Sequence, residues 1–69
     1  MNYKINDVVD FYIVRSGILK TGIAKKILKN YTIINVPTFI EYLDKMVNVR
    51  FKVPRNKVWK AGTNPFKGR

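Results

Sequence analysis

The chain is 69 residues long, with fourteen Lys and Arg against four Asp and Glu, a net charge of +10, and no cysteine or histidine. A chain of that length makes one small domain. It has no disulfide and no thiolate or imidazole for a metal site, so apolar packing alone must stabilise it.

Asp7 to Arg15 reads DVVDFYIVR. Val9, Phe11 and Ile13 alternate with Asp10, Tyr12 and Val14, the period-two signature of a strand, and Ser16-Gly17 marks a tight turn after it. Ile18 to Leu28 fits two patterns. Leu19, Ile23 and Ile27 recur every four residues, as on a helix. Leu19, Thr21, Ile23, Lys25 and Ile27 also share one face of a strand. Gly22 costs a helix about 1 kcal/mol but in a strand marks a bulge or bend, and the preceding Ser-Gly favours a hairpin. A long bent strand is the expectation, with Lys20 and Lys26 on one face and Lys25 and Lys29 on the other. Lys29-Asn30 is a turn, and Tyr31 to Val36 a third strand that Pro37 is expected to end.

Thr38-Phe39-Ile40-Glu41 has capping-box spacing, which would put Phe39, Leu43 and Met46 on one face of a short helix. An irregular excursion over residues 38–46 is the competing reading. Val47, Val49, Phe51 and Val53 alternate with Asn48, Arg50 and Lys52, giving a strand with a core face and a cationic face. Pro54 to Lys57 reads as one helical turn and Val58-Trp59-Lys60 as a closing strand. Residues 1–61 are thus expected to form the domain, and 62–69 a flexible basic tail.

Five short strands in so short a chain point to a mainly β fold, a small, strongly bent barrel with a helical turn or excursion around residues 38–46. The order resembles the SH3-like barrels, and KOW-type domains in particular. Ile5-Asn6-Asp7-Val8-Val9-Asp10-Phe11 is similar to their opening turn and strand, Thr21-Gly22-Ile23-Ala24-Lys25-Lys26-Ile27 to their second strand, and Val53-Pro54-Arg55-Asn56-Lys57-Val58 to the turn before their closing strand. Asn6 departs from the pattern, standing where a glycine is usual. The resemblance implies a module that binds nucleic acid or protein, without choosing between them.

The charge is unevenly placed. The first 44 residues carry six positive and four negative charges; after Asp44 come eight positive and none negative. Uncompensated positive charge points to a polyanionic partner. Arg50, Lys52, Arg55, Lys57 and Lys60 are expected to converge on one side of the barrel and contact phosphates, with Lys20, Lys25, Lys26 and Lys29 adding a second basic run and Lys67 and Arg69 a basic arm. Trp59, Tyr12 and Tyr31 are candidates for stacking on a base, or for core. Phe39, Ile40, Tyr42 and Leu43 either form a protein-binding patch or cover the open end of the barrel. DNA or RNA is the first expected partner, bound with little sequence preference; an acidic surface of a host protein, such as a transcription or nucleoid factor, is the alternative.

No enzyme, metal, cofactor or small-molecule substrate is expected. Ser16 has no histidine to activate it, and Asp7 and Asp10, three residues apart, fall on opposite faces of a strand. With no signal-peptide pattern and no apolar run long enough to cross a bilayer, the expected location is cytoplasmic, away from membranes. Lys, Asn, Ile, Tyr and Phe supply 33 of the 69 residues; this AT-rich codon bias fits a small phage reading frame.

Overall fold

The computed structural model describes residues 3–65. Its strands are β1 (Val8–Ile13), β2 (Ile18–Ile27), β3 (Tyr31–Ile40), β4 (Lys45–Pro54) and β5 (Val58–Lys60). All pair antiparallel in one sheet, in the order β4-β3-β2-β1-β5. The β-branched and aromatic residues of each strand suit this pleated geometry. Short 3-10 turns at Glu41–Leu43 and Arg55–Lys57 are the helical content among the described residues.

The shape of the sheet is set in β2, which is a strand and not a helix. Its first part pairs with β1, from Ile18↔Ile13 to Ile23↔Val8, and its last part with β3, from Ile23↔Asn35 to Ile27↔Thr32. Gly22 lies at the changeover and is buried. A Cβ there would stand 2.7 Å from the Asn35 carbonyl oxygen and 2.7 Å from Ile34 Cγ2, so the backbones meet closely because glycine has no side chain. The register then shifts between Ala24 and Lys26, a bulge that adds bend and twist. The sheet curls until β1 faces β4, and the Phe11 and Phe51 rings pack with centroids 5.3 Å apart. No ladder joins the edge strands β4 and β5, so the sheet is curled but not closed.

The core lines the concave face: Tyr3, Val9, Phe11, Ala24, Ile34, Val53 and Val58, with Ile13, Ile27, Val36 and Phe51 packed against it. Each fully buried chain of this kind contributes about 1.5–3 kcal/mol, so so small a core leaves little margin. Tyr3 was not anticipated. Its hydroxyl shares a buried hydrogen bond of 2.6 Å with Thr32 Oγ1, which fixes the chain ahead of β1.

The turn before β1 is built around Asn6 and Asp7. Asn6 takes φ 76°, the left-handed conformation a glycine would supply. The Asp7 N–H donates to the Lys4 carbonyl (3.0 Å), Asp7 Oδ2 accepts from the Lys4 N–H (2.9 Å), and the Asn6 N–H donates to the Ala24 carbonyl (2.6 Å). Asp7 thus shapes the turn. Asn6→Ala is expected to cost about 1–2 kcal/mol, because alanine pays the left-handed penalty without asparagine's local bonding. Asn6→Gly is expected to keep or slightly raise stability, and urea midpoints for the two variants would show the contrast.

Three expectations about β3 and β4 are corrected. Pro37 does not end β3, which runs to Ile40. Pairing with β2 stops at Asn35, so beyond it β3 has β4 on one side only, and a proline lacking its donor is tolerated on the open side. Of the readings of residues 38–46, the helical turn forms, at Glu41–Leu43, and a longer helix does not. Thr38 Oγ1 donates to the Val36 carbonyl (3.1 Å) instead of capping, and the chain turns at Glu41–Leu43 with Asp44 at φ 51°. Finally, the apolar face of β4 is buried only in part. Val53 is in the core and Phe51 half-buried, but Val49 is exposed. Beyond Val36 the β3–β4 hairpin becomes a two-stranded arm about 13 Å long, with no third strand beside it among the described residues. Phe39, Tyr42, Leu43 and Met46 on it are exposed and do not cover the core; Tyr42 is 89% exposed.

The start of the expected loose tail is docked. Asp10 is buried and its carboxylate accepts hydrogen bonds from Thr21 Oγ1 (2.7 Å), the Gly62 N–H (3.1 Å) and Asn64 Nδ2 (2.6 Å). Residues 62–64 are thereby held against the convex face of β1.

Candidate nucleic-acid interface

Residues opposite one another in an antiparallel ladder share a face, so register places each cation. On the convex face of β2, β3 and β4, Lys26, Ile33 and Lys52 form one row and Ile23, Asn35 and Arg50 the next. Tyr31 and Pro54 follow at one end, Pro37 with Asn48 and Phe39 with Met46 at the other. These rows hold three cations and no acid. Lys52 Nζ lies 4.5 Å from the centroid of the Tyr31 ring, a cation–π contact worth about 0.5–1 kcal/mol at an exposed site. It holds the ammonium on the face while leaving it open to solvent.

The bulge brings Lys26 to this face. Simple alternation groups Lys20 with Lys26. The register shift instead sets Lys26 opposite Ile33, whereas Lys20 lies opposite Phe11. The expected pairing of Lys20 and Lys26 is overturned for that reason. Lys25, at the bulge, is exposed and its Nζ donates to Asn6 Oδ1 (3.4 Å).

Cations also collect at the end of the sheet where β2 meets β3 and β4 meets β5. The Arg55 N–H donates to the Asn30 carbonyl (3.1 Å), and Arg55 Nη1 to the carbonyls of Lys29 (2.9 Å) and Leu28 (3.4 Å). Its guanidinium therefore ties two turns together and is partly committed to backbone. Beside it Lys29, Asn30, Pro54, Arg55 and Asn56 line an open cleft of about 570 Å³. Lys57 is half-buried on the adjoining 3-10 turn.

The ladder does not put all five cations in adjacent rows. β4 and β5 are opposite edges, so Lys60, paired with Val9 on β5, is separated from Arg50 and Lys52 by three strands. Trp59 is half-buried opposite Asp10, away from the Lys26–Lys52 row. Tyr12 is half-buried near the end of β1. Lys67 and Arg69 lie outside the described residues.

No family model matches the chain, and no curated protein or solved structure matches it.

The acids are sequestered from the cationic face. Asp10 is buried, Asp7 is bonded into the opening turn, and Glu41 and Asp44 sit at the tip of the arm. Alternation alone could identify Arg50 and Lys52. Two further members, Lys29 on the cleft and Tyr31 beneath Lys52, take their places only through the fold, because both depend on which turns and strands become neighbours. Among the described residues no three acidic side chains group as a metal site, and no helix is long and apolar enough to cross a membrane.

Proposed function

We propose that the chain is a small nucleic-acid-binding module of SH3-like barrel type, not an enzyme, that holds DNA or RNA mainly through backbone phosphates. The observation that carries this reading is the acid-free convex face of β2–β3–β4, where Lys26, Arg50 and Lys52 stand together beside the Lys29–Arg55 cleft. Lysine and arginine so placed neutralise phosphates and release counterions, giving affinity that salt weakens. Asn35 and Asn48 are the polar neighbours of Arg50 on this face. Asn35 is half-buried with its Oδ1 out of solvent, which leaves Asn48 and Arg50 as the exposed groups able to reach a base edge here, few enough to fit low sequence preference. The strand order β4-β3-β2-β1-β5, the bent β2 and the 3-10 turn before β5 support the barrel resemblance.

Titration with duplex DNA, single-stranded DNA and RNA at several salt concentrations tests the reading. With about four phosphates engaged, duplex affinity is expected to fall about a hundredfold between 50 and 200 mM salt. Arg50→Gln with Lys52→Gln is expected to reduce the logarithmic salt slope by about two. Absence of binding at low salt would remove the proposal. An unchanged slope would move the interface elsewhere on the molecule.

A further inference from the structure

The curled sheet leaves an open seam. β5 covers β1 only from Val9 to Phe11. Past that point Tyr12, Ile13 and Val14 at the β1 end face Phe51, Lys52, Val53 and Pro54 of β4 across a cavity of about 160 Å³. The walls are largely apolar, and the space admits one branched aliphatic side chain. β4 borders this seam as an edge strand ten residues long, and among the described residues β3 is its one ladder neighbour.

The phase of the β3–β4 ladder tells which backbone groups of β4 are unused. Pro37 and Pro54 have no N–H and pair with Asn48 and Tyr31, positions of the same parity along β3. The Arg55 N–H donates to the Asn30 carbonyl, in the alternate phase. Backbone groups alternate between the two sides of a strand, so those of Met46, Asn48, Arg50 and Lys52 point to the free edge. This is a template for one more strand. Side chains on such a strand would alternate: one set faces Val49 and the seam, the other lies beside Arg50 and Lys52.

We propose that the free edge of β4 and the seam beside it dock an extended segment of a partner protein in which apolar and acidic residues alternate. The apolar set fills the seam, and the carboxylates pair with Arg50 and Lys52. Charge complementarity selects this occupant. A second copy of the chain is disfavoured because each copy carries a net charge of +10 and edge pairing would bring its cations toward their own counterparts. The proposal is independent of nucleic-acid binding, because it needs backbone donors at the sheet edge that a phosphate chain would not order into a ladder.

The test is an amide-resolved NMR titration of the full chain with the peptide Glu-Val-Glu-Leu-Glu-Val-Glu, its lysine counterpart, and the acidic peptide with alternate backbone nitrogens methylated. The acidic peptide is expected to shift the amides of β4 and to slow exchange of the Met46, Asn48, Arg50 and Lys52 N–H groups at least tenfold. The lysine and methylated peptides are expected to do neither. Arg50→Glu with Lys52→Glu should reverse the preference between acidic and lysine peptides. Shifts without edge protection, equal binding of the methylated peptide, or protection arising from self-association in the absence of peptide would each overturn the proposal.

Discussion

Replacing Gly22 with alanine is expected to lower the stability of this domain by about 3 kcal/mol, the upper end of the usual cost of overpacking. The added Cβ would meet the Asn35 carbonyl oxygen and Ile34 Cγ2 at 2.7 Å and Val36 Cγ2 at 2.9 Å. One of these is backbone, held in the β3 ladder, and cannot rotate away. β3 would have to move as a unit, taking fully buried Ile34 with it. A domain of this size has a total stability of roughly 3–10 kcal/mol, so a large share would be lost. At about 4–8 °C per kcal/mol, the melting temperature is expected to fall by about 12–24 °C. Thermal unfolding followed by circular dichroism measures this directly, and a fall under about 5 °C would mean that the two backbones do not cross as closely as described.

Asp10→Ala is expected to be comparably damaging, at about 3 kcal/mol, by a different mechanism. Hydrogen bonds to a charged group contribute about 1.5–3 kcal/mol each, and removing the acceptor leaves its donors unpaired. Here the donors are the Thr21 hydroxyl, the Gly62 N–H and the buried side-chain amide of Asn64. Asp10→Asn is a sharper probe, since its NH2 group would face donors where the carboxylate had faced acceptor-seeking partners. The global readout is the urea midpoint. The local one is exchange of the Gly62 N–H, expected to lose protection even under conditions where the sheet stays folded. Retained protection at Gly62 in Asp10→Ala would show that residues 62–64 are held by something other than this carboxylate.

Period-two alternation made β1 and β4 legible because it reports local pleat geometry and needs no knowledge of neighbours. Gly22 was legible as the site of a bend for the same reason: glycine inside a β-forming run is costly without a local use. What misled the reading was pattern shared between structures. Thr38 and Glu41 have the spacing of a capping box, yet the same spacing occurs across the end of a strand and the first residue of a 3-10 turn. Pro37 forbids a central strand only where both sides are paired, and β3 is paired on both sides only as far as Asn35. The remaining misses are non-local. Asp10 lies 54 residues from Asn64 and Tyr3 lies 29 from Thr32, and no window of sequence contains either pair. The candidate site follows this division. Arg50 and Lys52 were readable from their own strand. Lys26 joined them only through a one-residue bulge, and Lys60 lies on β5, at the other edge of the ladder.

The succession of the strands also bears on how the chain reaches this structure. β1–β2, β2–β3 and β3–β4 are each joined in sequence order, so each can zip from its own turn with a short loop to close. The pairing of β1 with β5, and of Asp10 with Gly62 and Asn64, instead encloses nearly the whole polypeptide, with separations of 52 and 54 residues. It carries the largest loop-closure entropy of the pairings in the sheet, and contacts of that separation slow folding. The four-stranded meander can therefore assemble first and the last residues latch onto it afterwards. A chain emerging from the ribosome would hold a formed but unlatched sheet until residue 64 became free to reach back to Asp10.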